Sequence, residues 1–126
     1  MTPNADRLDP ADAALDDLLP LTPVVFHILV ALSADVRHGY DVARRVEDAT
    51  DGAIRMGPGT LYGSLRRMQD DGLIAEADDP GREGAHADRR RYYRVTERGR
   101  AALSAETARL ARAVELARSA LGGGGG

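Results

Sequence analysis

Apolar residues recur every three or four positions along most of the chain, which is the spacing of amphipathic helices. The spacing predicts three helices, over residues 23–35, 40–50 and 58–70, and the first of them is the most apolar. Pro at the first helical position opens the first and third helices, and Gly follows the second and third, as helix ends favour. A longer helix is predicted over 97–121, with Thr96 as its N-cap.

Between residues 73 and 95 the pattern changes to that of strands. Residues 73–77 and 89–95 are predicted strands, and the polar segment between them, 78–88, is predicted to be a loop. In the second strand Arg91, Tyr93 and Val95 share one face, and Arg91 is either exposed like the neighbouring arginines or partly buried beside Tyr93. The two strands therefore predict a hairpin with a loop longer than a tight turn.

The order of helix, helix, turn, helix, hairpin and helix is that of a winged helix-turn-helix. We predict an α+β fold, mostly α, with a two-stranded wing and a C-terminal dimerisation helix. The predicted boundaries are an acidic N-terminal extension with a short helix over 1–20, a DNA-binding domain over 21–96, the C-terminal helix over 97–121 and a flexible glycine tail over 122–126.

Two segments are expected to pack beyond the helix-turn-helix itself. The short N-terminal helix is either simply solvated on its acidic side, or its leucines pack on the main domain or on a partner chain. Only 4% of the 126 residues are aromatic, so a chain with so limited a core gains from sharing apolar surface with a second copy. The C-terminal helix carries a heptad seam with spacings of 4, 3, 4, 3 and 4, which supports self-association without fixing the number of subunits. Its members are Leu103, Thr107, Leu110, Val114, Ala117 and Leu121.

Composition excludes several classes of function. The absence of Cys excludes disulfides, thiolate metal sites and a Cys nucleophile. No apolar run reaches the ~20 residues that span a membrane, and the acidic start lacks the features of a secretory signal. We therefore expect a cytoplasmic protein without a membrane partner. The three histidines lack metal-ligand spacing, and no nucleophile-elbow or phosphate-loop motif is present, so we expect no enzyme, no metal and no cofactor.

The distribution of charge is more informative than the net charge of −3. Residues 1–20 contain five Asp and one Arg, whereas all 17 basic residues of the chain are Arg. Residues 54–69 contain three Arg and no acid, and residues 82–100 contain seven Arg against three acids. The predicted third helix and wing are thus locally basic, which favours a polyanionic partner such as double-stranded DNA.

The third helix has an outward face with unusual residues. Gly59, Gly63, Arg66 and Asp70 point outward if Leu61 and its helical neighbours point inward. An exposed helical Gly costs about 0.5–1 kcal/mol relative to Ala, which a close approach of DNA to the backbone would explain. Relief of crowding against Tyr62 or a neighbouring helix is the alternative. Arg66 and the adjacent Arg67 either contact phosphates or guanine, or form a solvated pair that bridges to nearby Asp residues.

Three motifs resemble the PadR family of bacterial transcriptional regulators. Residues 57–68 read GPGTLYGSLRRM and are followed by DGLI at 71–74. Residues 38–40 read HGY, and residues 90–96 read RRYYRVT, with Gly99 shortly after them. The motifs occur in the family's order, and the resemblance covers about residues 21–104.

The resemblance implies a winged-helix fold, a homodimer formed largely by C-terminal helices, and usually repression of transcription. By similarity, Thr60, Tyr62 and the wing arginines contact DNA, and Tyr40 packs inside. Gly63 departs from the Pro that many members have there. The short C-terminal region leaves any effector pocket between subunits or beside this helix. The predicted DNA-binding residues are Gly59, Thr60, Tyr62, Gly63, Ser64, Arg66, Arg67, Arg89, Arg90 and Arg94.

Two alternatives remain open at the level of sequence. Winged helices also serve as protein-interaction modules, and both the acidic N-terminal helix and the heptad helix could be docking surfaces. The clustering of Arg is the feature that such a module does not need. A different winged-helix regulator, such as a MarR-like one, would need longer flanking helices than this chain supplies.

Overall fold

The computed structural model describes residues 15, 17–78 and 91–123. Four helices and three short strands account for most of this part of the chain, and they follow the predicted order with one addition. The elements are α1 (Pro23–Ser33), β1 (Arg37–His38), α2 (Gly39–Ala49), α3 (Pro58–Asp70), β2 (Ile74–Ala77), β3 (Tyr92–Val95) and α4 (Glu97–Gly123).

Helix α1 is the centre of the core, as its apolar stripe predicts. The Thr22 hydroxyl accepts a hydrogen bond from the Val25 backbone N–H at 3.2 Å and caps the helix, and a Pro occupies its first turn. Ile28, Leu29 and Leu32 are buried and pack with side chains of α2, α3 and the strands. Burial of these aliphatic side chains is the main driving force for assembly around α1.

The connection from α1 to α2 differs from the predicted turn. Residues 37 and 38 form strand β1, which pairs antiparallel with β3, with Arg37 opposite Tyr93 and His38 opposite Tyr92. The sheet order is therefore β1-β3-β2. A strand of two residues is too short to show any periodicity, so only its pairing with β3 reveals it.

Side-chain bonds fix α2 against the end of α1. Arg37 donates from Nε to the Ala31 carbonyl at 2.8 Å and pairs with Asp41 at 3.0 Å. His38 caps α2, because its Nδ1 accepts the Asp41 backbone N–H at 3.1 Å. Burial raises the pKa of Asp41, but the hydrogen bond and charge of Arg37, with Arg45 beside it, lower that pKa below its usual value overall.

Tyr40 was predicted to point inward, and this prediction is wrong. Its side chain is 66% exposed, and its ring stacks on that of His38 with a centroid separation of 6.4 Å. Val42 and Val46 form the buried stripe of α2. At 100° per residue, Tyr40 lies more than 100° away from both of them, which places its ring in solvent.

Helix α3 and the wing strands follow the sequence closely. Leu61, Leu65 and Met68 are buried, as predicted. Gly72 ends the helix with φ of 79°, the left-handed conformation that Gly adopts at least cost. Strands β2 and β3 are antiparallel, and the predicted loop between them lies mainly outside the described residues.

Helix α4 is joined tightly to the sheet. The Thr96 hydroxyl accepts the Gly99 backbone N–H at 3.0 Å and lies 2.6 Å from the Gly72 carbonyl, to which it donates. A Cβ atom at Gly99 would overlap the Leu73 carbonyl oxygen, so this position requires Gly. The helix has 27 residues and continues to Gly123, two residues beyond the predicted end.

The N-terminal segment packs on the main domain rather than only being solvated. Leu15, Leu18 and Leu19 are half-buried against the core, while the predicted start of their helix at Asp9 lies outside the described residues. Within the part of the chain that is described, no helix is both long and apolar enough to cross a membrane.

One buried carboxylate joins this segment to α4. Glu106 is 1% exposed and binds Arg109 through two hydrogen bonds, at 2.7 and 2.8 Å. It also accepts a hydrogen bond from the Leu21 backbone. The Arg109 bonds outweigh the effect of burial and lower the pKa of Glu106 below its usual value. Glu106 therefore remains ionised and holds residue 21 against α4.

Candidate nucleic-acid interface

Helix α3 presents an outer ridge to solvent. The ridge consists of Gly59, Gly63, Arg66 and Asp70, and all four are exposed, as predicted. The opposite side of the helix holds its three buried apolar residues. The helix therefore lies with one side on the core and its polar side open along its length, as an element entering a DNA groove requires.

The two ridge glycines stand in open space. A Cβ atom built at Gly59 or at Gly63 would meet no atom outside the helix backbone within 4 Å. Crowding against a neighbouring helix, one of the two alternatives considered from sequence, is therefore contradicted for Gly63. Among the described residues, no packing contact with another element accounts for a glycine at this position.

Arg66 and Arg67 lie on different flanks of α3, although they are adjacent in sequence. Arg66, with Tyr62, lines a cleft against β3. Arg67, with Ser64, lines a second cleft against the N-terminal segment at Leu18. Both arginines are exposed.

The alternative in which these arginines bridge to acids at the end of α3 is not observed. Among the residues that the structure describes, no ion pair joins Arg66 or Arg67 to Asp70 or Asp71. Both guanidinium groups are therefore available to an external anion. Of the other predicted α3 residues, Thr60 is exposed and Ser64 is half-buried.

Tyr62 explains the HGY motif at the start of α2. A Cβ atom at Gly39 would lie 2.9 Å from the Tyr62 ring, so the ring of Tyr62 packs directly over Gly39. Tyr62 nevertheless remains 45% exposed. The glycine thus allows α3 to approach α2 while Tyr62 keeps an exposed edge beside the outer ridge.

The wing residues divide between two faces of the hairpin. Tyr93 is 2% exposed and packs inward, and its burial raises the pKa of its hydroxyl. Arg94 is exposed on the opposite face, because adjacent strand residues alternate. The predicted DNA contacts Arg89 and Arg90 lie outside the described residues.

Arg91 is exposed, which contradicts the alternative that it is partly buried beside Tyr93. Its side chain is 70% exposed and lies 3.7 Å from Glu76. It lines the same cleft as Arg66, on the side that faces α3. Sequence reasoning left Arg91 out of the candidate set, although its shared parity with Tyr93 already placed it on the α3 side of the hairpin.

The heptad seam of α4 is divided between the domain and solvent. Leu103 and Leu110 are half-buried, and Leu103 packs against the core. The deepest positions of the helix, Ala102 and Glu106, lie beside the seam rather than on it. The distal seam residues Val114, Ala117 and Leu121 are exposed, Val114 at 49% and Leu121 at 84%. Thr107, the polar position of the seam, is also exposed, and its hydroxyl donates to the Leu103 carbonyl.

Within the described ranges, no group of three or more His, Asp or Glu side chains is placed so that it could hold a metal ion. His27 is half-buried with its ring edge-on to Phe26, and His38 serves as a helix cap. His86 lies outside the described residues.

Comparison with known proteins identifies the fold and the family. Residues 28–105 match the model of the transcriptional regulator PadR-like family. The chain is 37% identical over 102 residues to a Mycobacterium tuberculosis protein named transcriptional regulator Rv3488. This alignment covers 79% of this chain and 84% of that protein.

Solved structures share the fold at low sequence identity. A PadR family transcription regulator from Clostridium difficile superposes with a TM-score of 0.63 at 21% identity, covering 79% of this chain and 98% of that one. Bacillus subtilis PadR in complex with operator DNA superposes with a TM-score of 0.55 at 20% identity, covering 68% of this chain and 45% of that one. With the family match, these likenesses confirm the winged-helix fold, and the chain belongs to the PadR-like family of transcriptional regulators, which are not enzymes.

Proposed function

We propose that the protein is a homodimeric, sequence-specific repressor that places α3 in the major groove of a palindromic operator. The observation that carries the proposal is the outer ridge of α3, where two open glycines lie beside Arg66 and Arg67, which form no ion pair with any other described residue. A helix backbone that must approach base edges closely benefits from residues without a side chain. Arg can bind guanine through two parallel hydrogen bonds or hold a phosphate.

Charge supports DNA as the partner. The α3 and wing segments hold ten Arg against three acids, counting residues 54–69 and 82–100 together. Thr60, Tyr62 and Arg67 flank the ridge and provide hydroxyl and guanidinium donors for phosphates. Arg94, Arg89 and Arg90 add wing contacts to the backbone or the minor groove.

The exposed end of α4 supports a dimer. Residues 111–122 are all exposed, yet the seam carries Val114 and Leu121 on one side. An isolated helical segment of about twelve residues is marginal in water, so a second copy packing on this seam would stabilise it. A two-fold axis then relates two α3 helices, which read half-sites one helical turn apart, about 34 Å.

Repression follows from occupancy. A dimer that covers two successive grooves within a promoter excludes polymerase from the same DNA. The cytoplasm is the compartment in which this activity would take place. A reporter gene under the protein's own upstream region is expected to lose expression when the protein is supplied, and Arg66→Ala is expected to restore it.

Binding itself is tested by fluorescence anisotropy with DNA from upstream of the protein's own gene and with an unrelated duplex as competitor. Binding that resists the competitor and weakens steeply with salt is expected, because neutralised phosphates release counterions. Arg66→Ala and Tyr62→Ala should reduce discrimination between the duplexes. A folded dimer that binds neither duplex at low salt would contradict the DNA interface and direct the search to protein partners.

The dimer is tested by sedimentation velocity. Leu121→Glu is expected to shift the protein to monomer, because it places a charge on the seam. Ser119→Glu adds the same charge on the far side of α4 and is expected to leave the dimer intact. An equal effect of both substitutions, or of neither, would contradict the seam.

A further inference from the structure

The cleft between α3 and β3 joins the recognition helix to the base of the wing. We name it the α3–β3 cleft; it encloses about 400 Å³. Arg66 stands on the helix wall and Arg91 on the strand wall. In a winged-helix complex the recognition helix enters the major groove and the wing meets the adjacent minor groove. The DNA backbone that separates these two grooves therefore passes between helix and wing. Its lining residues are Tyr62, Arg66, Gln69, Asp70, Arg91 and Tyr93.

The two walls carry complementary donors for one anion. Two guanidinium groups face the cleft, and Tyr62 adds a phenol hydroxyl on the helix side. A phosphodiester has one negative charge on two free oxygens, which matches the paired N–H groups of a guanidinium. Asp70 is the one acid that lines the cleft, at the end of α3, and Glu76 lies outside the lining beside Arg91.

Arg91 has two partners in the hairpin, a hydrogen bond with the side chain of the buried Tyr93 and a weak ion pair with Glu76. Its separation from Glu76 is 3.7 Å, and the two side chains are 70% and 51% exposed. Exposed pairs of this kind contribute little to stability, so Arg91 can leave Glu76 without disturbing the fold. Glu76 lies opposite Tyr93 in the hairpin and thus on the same face as Arg91.

We propose that the α3–β3 cleft is a phosphodiester subsite, in which Arg66 and Arg91 hold one DNA backbone phosphate, and that Glu76 holds Arg91 until DNA displaces it. The inference rests on the proposed DNA-binding function and adds to it a residue that sequence reasoning excluded. Because a phosphate carries no base identity, the contribution of Arg91 is independent of DNA sequence.

The test is the salt dependence of binding of the full chain to an unrelated duplex. Each phosphate contact adds about 0.9 to the slope of log K against log salt. Arg91→Ala is expected to reduce the slope by about 0.9 per protomer, and equally for any duplex. Arg45→Ala is the matched control, since Arg45 forms a similar pair with Asp41 at 3.5 Å on α2, outside the two basic segments. Melting curves of each variant verify that folding is unchanged.

The role of Glu76 is tested by a double-mutant cycle. Glu76→Gln is expected to tighten binding several-fold in the native background and to have a much smaller effect in the Arg91→Ala background. Equal effects in both backgrounds would mean that Glu76 acts only as a general negative charge, and would overturn its role as the partner that DNA displaces.

The outcomes also separate this inference from the proposed function. If Arg66→Ala lowers the slope while Arg91→Ala behaves like Arg45→Ala, α3 binds DNA but the cleft is not a subsite. If the native protein binds no duplex at low salt, the proposed function itself fails. If millimolar inorganic phosphate without DNA raises the melting temperature, and Arg91→Ala abolishes this effect, the cleft belongs to free phosphate and the proposal is overturned.

Discussion

Replacing Gly63 by Ala separates the demands of folding from those of DNA binding. The residue lies inside α3, and a Cβ atom there meets nothing within 4 Å outside the helix backbone. Ala in a helix interior is about 0.5–1 kcal/mol more favourable than Gly, so Gly63→Ala should raise the free energy of unfolding by that amount. Urea denaturation monitored by circular dichroism measures this change.

The same substitution should weaken binding to DNA. A methyl group inserted into a well-packed contact typically costs about 1–3 kcal/mol, which corresponds to a loss of affinity of about five- to 150-fold. Anisotropy titration of the native protein and the variant against the same duplex measures the ratio. Gly122→Ala serves as the control, because that glycine is also open and helical but lies on α4.

The stability and the DNA affinity of Gly63→Ala must be compared together. A more stable protein with unchanged DNA affinity would refute the argument that Gly63 permits close approach to a groove. A less stable protein would contradict the finding that the space around Gly63 is open. Only a protein that is more stable and binds more weakly agrees with both parts of the argument.

Three further substitutions test the packing that positions the interface. Glu106→Ala removes the acceptor for Arg109 and should lower the free energy of unfolding by about 1–3 kcal/mol at neutral pH. Folding lowers the pKa of Glu106, so its carboxylate stabilises the protein at pH values above its ordinary pKa of 4.5. This contribution is lost as the pH falls below that value. The difference in urea midpoint between the native protein and the variant should therefore shrink below pH 4.5. Gly99→Ala should reduce the melting temperature sharply in calorimetry, because its methyl would overlap the Leu73 carbonyl. Thr96→Val removes the N-cap of α4 and should cost about 0.5–2 kcal/mol in urea denaturation.

The sequence predicts most of the elements because their signals are local. Pro58 and Gly72 mark the ends of α3, and the spacing of its apolar residues predicts its buried side. The alternation of Tyr93 and Val95 predicts the buried face of β3. Such signals need no knowledge of the neighbouring elements, because helix and strand periods are properties of the backbone alone.

The sequence does not predict features that depend on contacts between distant residues. Strand β1 exists only because β3 lies beside it. Glu106 is a charged residue beside the heptad seam, and it is buried because Arg109 and the residue 21 backbone satisfy its carboxylate. Charge alone does not reveal such burial, since its cost depends on partners that only the fold supplies.

The sequence by itself determined the family, the order of elements and the outward face of α3, because motifs and periodicity are written in consecutive residues. Only the tertiary structure decided how the arginines are arranged. It placed the adjacent Arg66 and Arg67 on separate flanks, and it brought Arg66 opposite Arg91, 25 positions later in the chain. The direction of a side chain from its own helix or strand follows from local backbone geometry. The element that it faces depends on which helices and strands the core packs side by side.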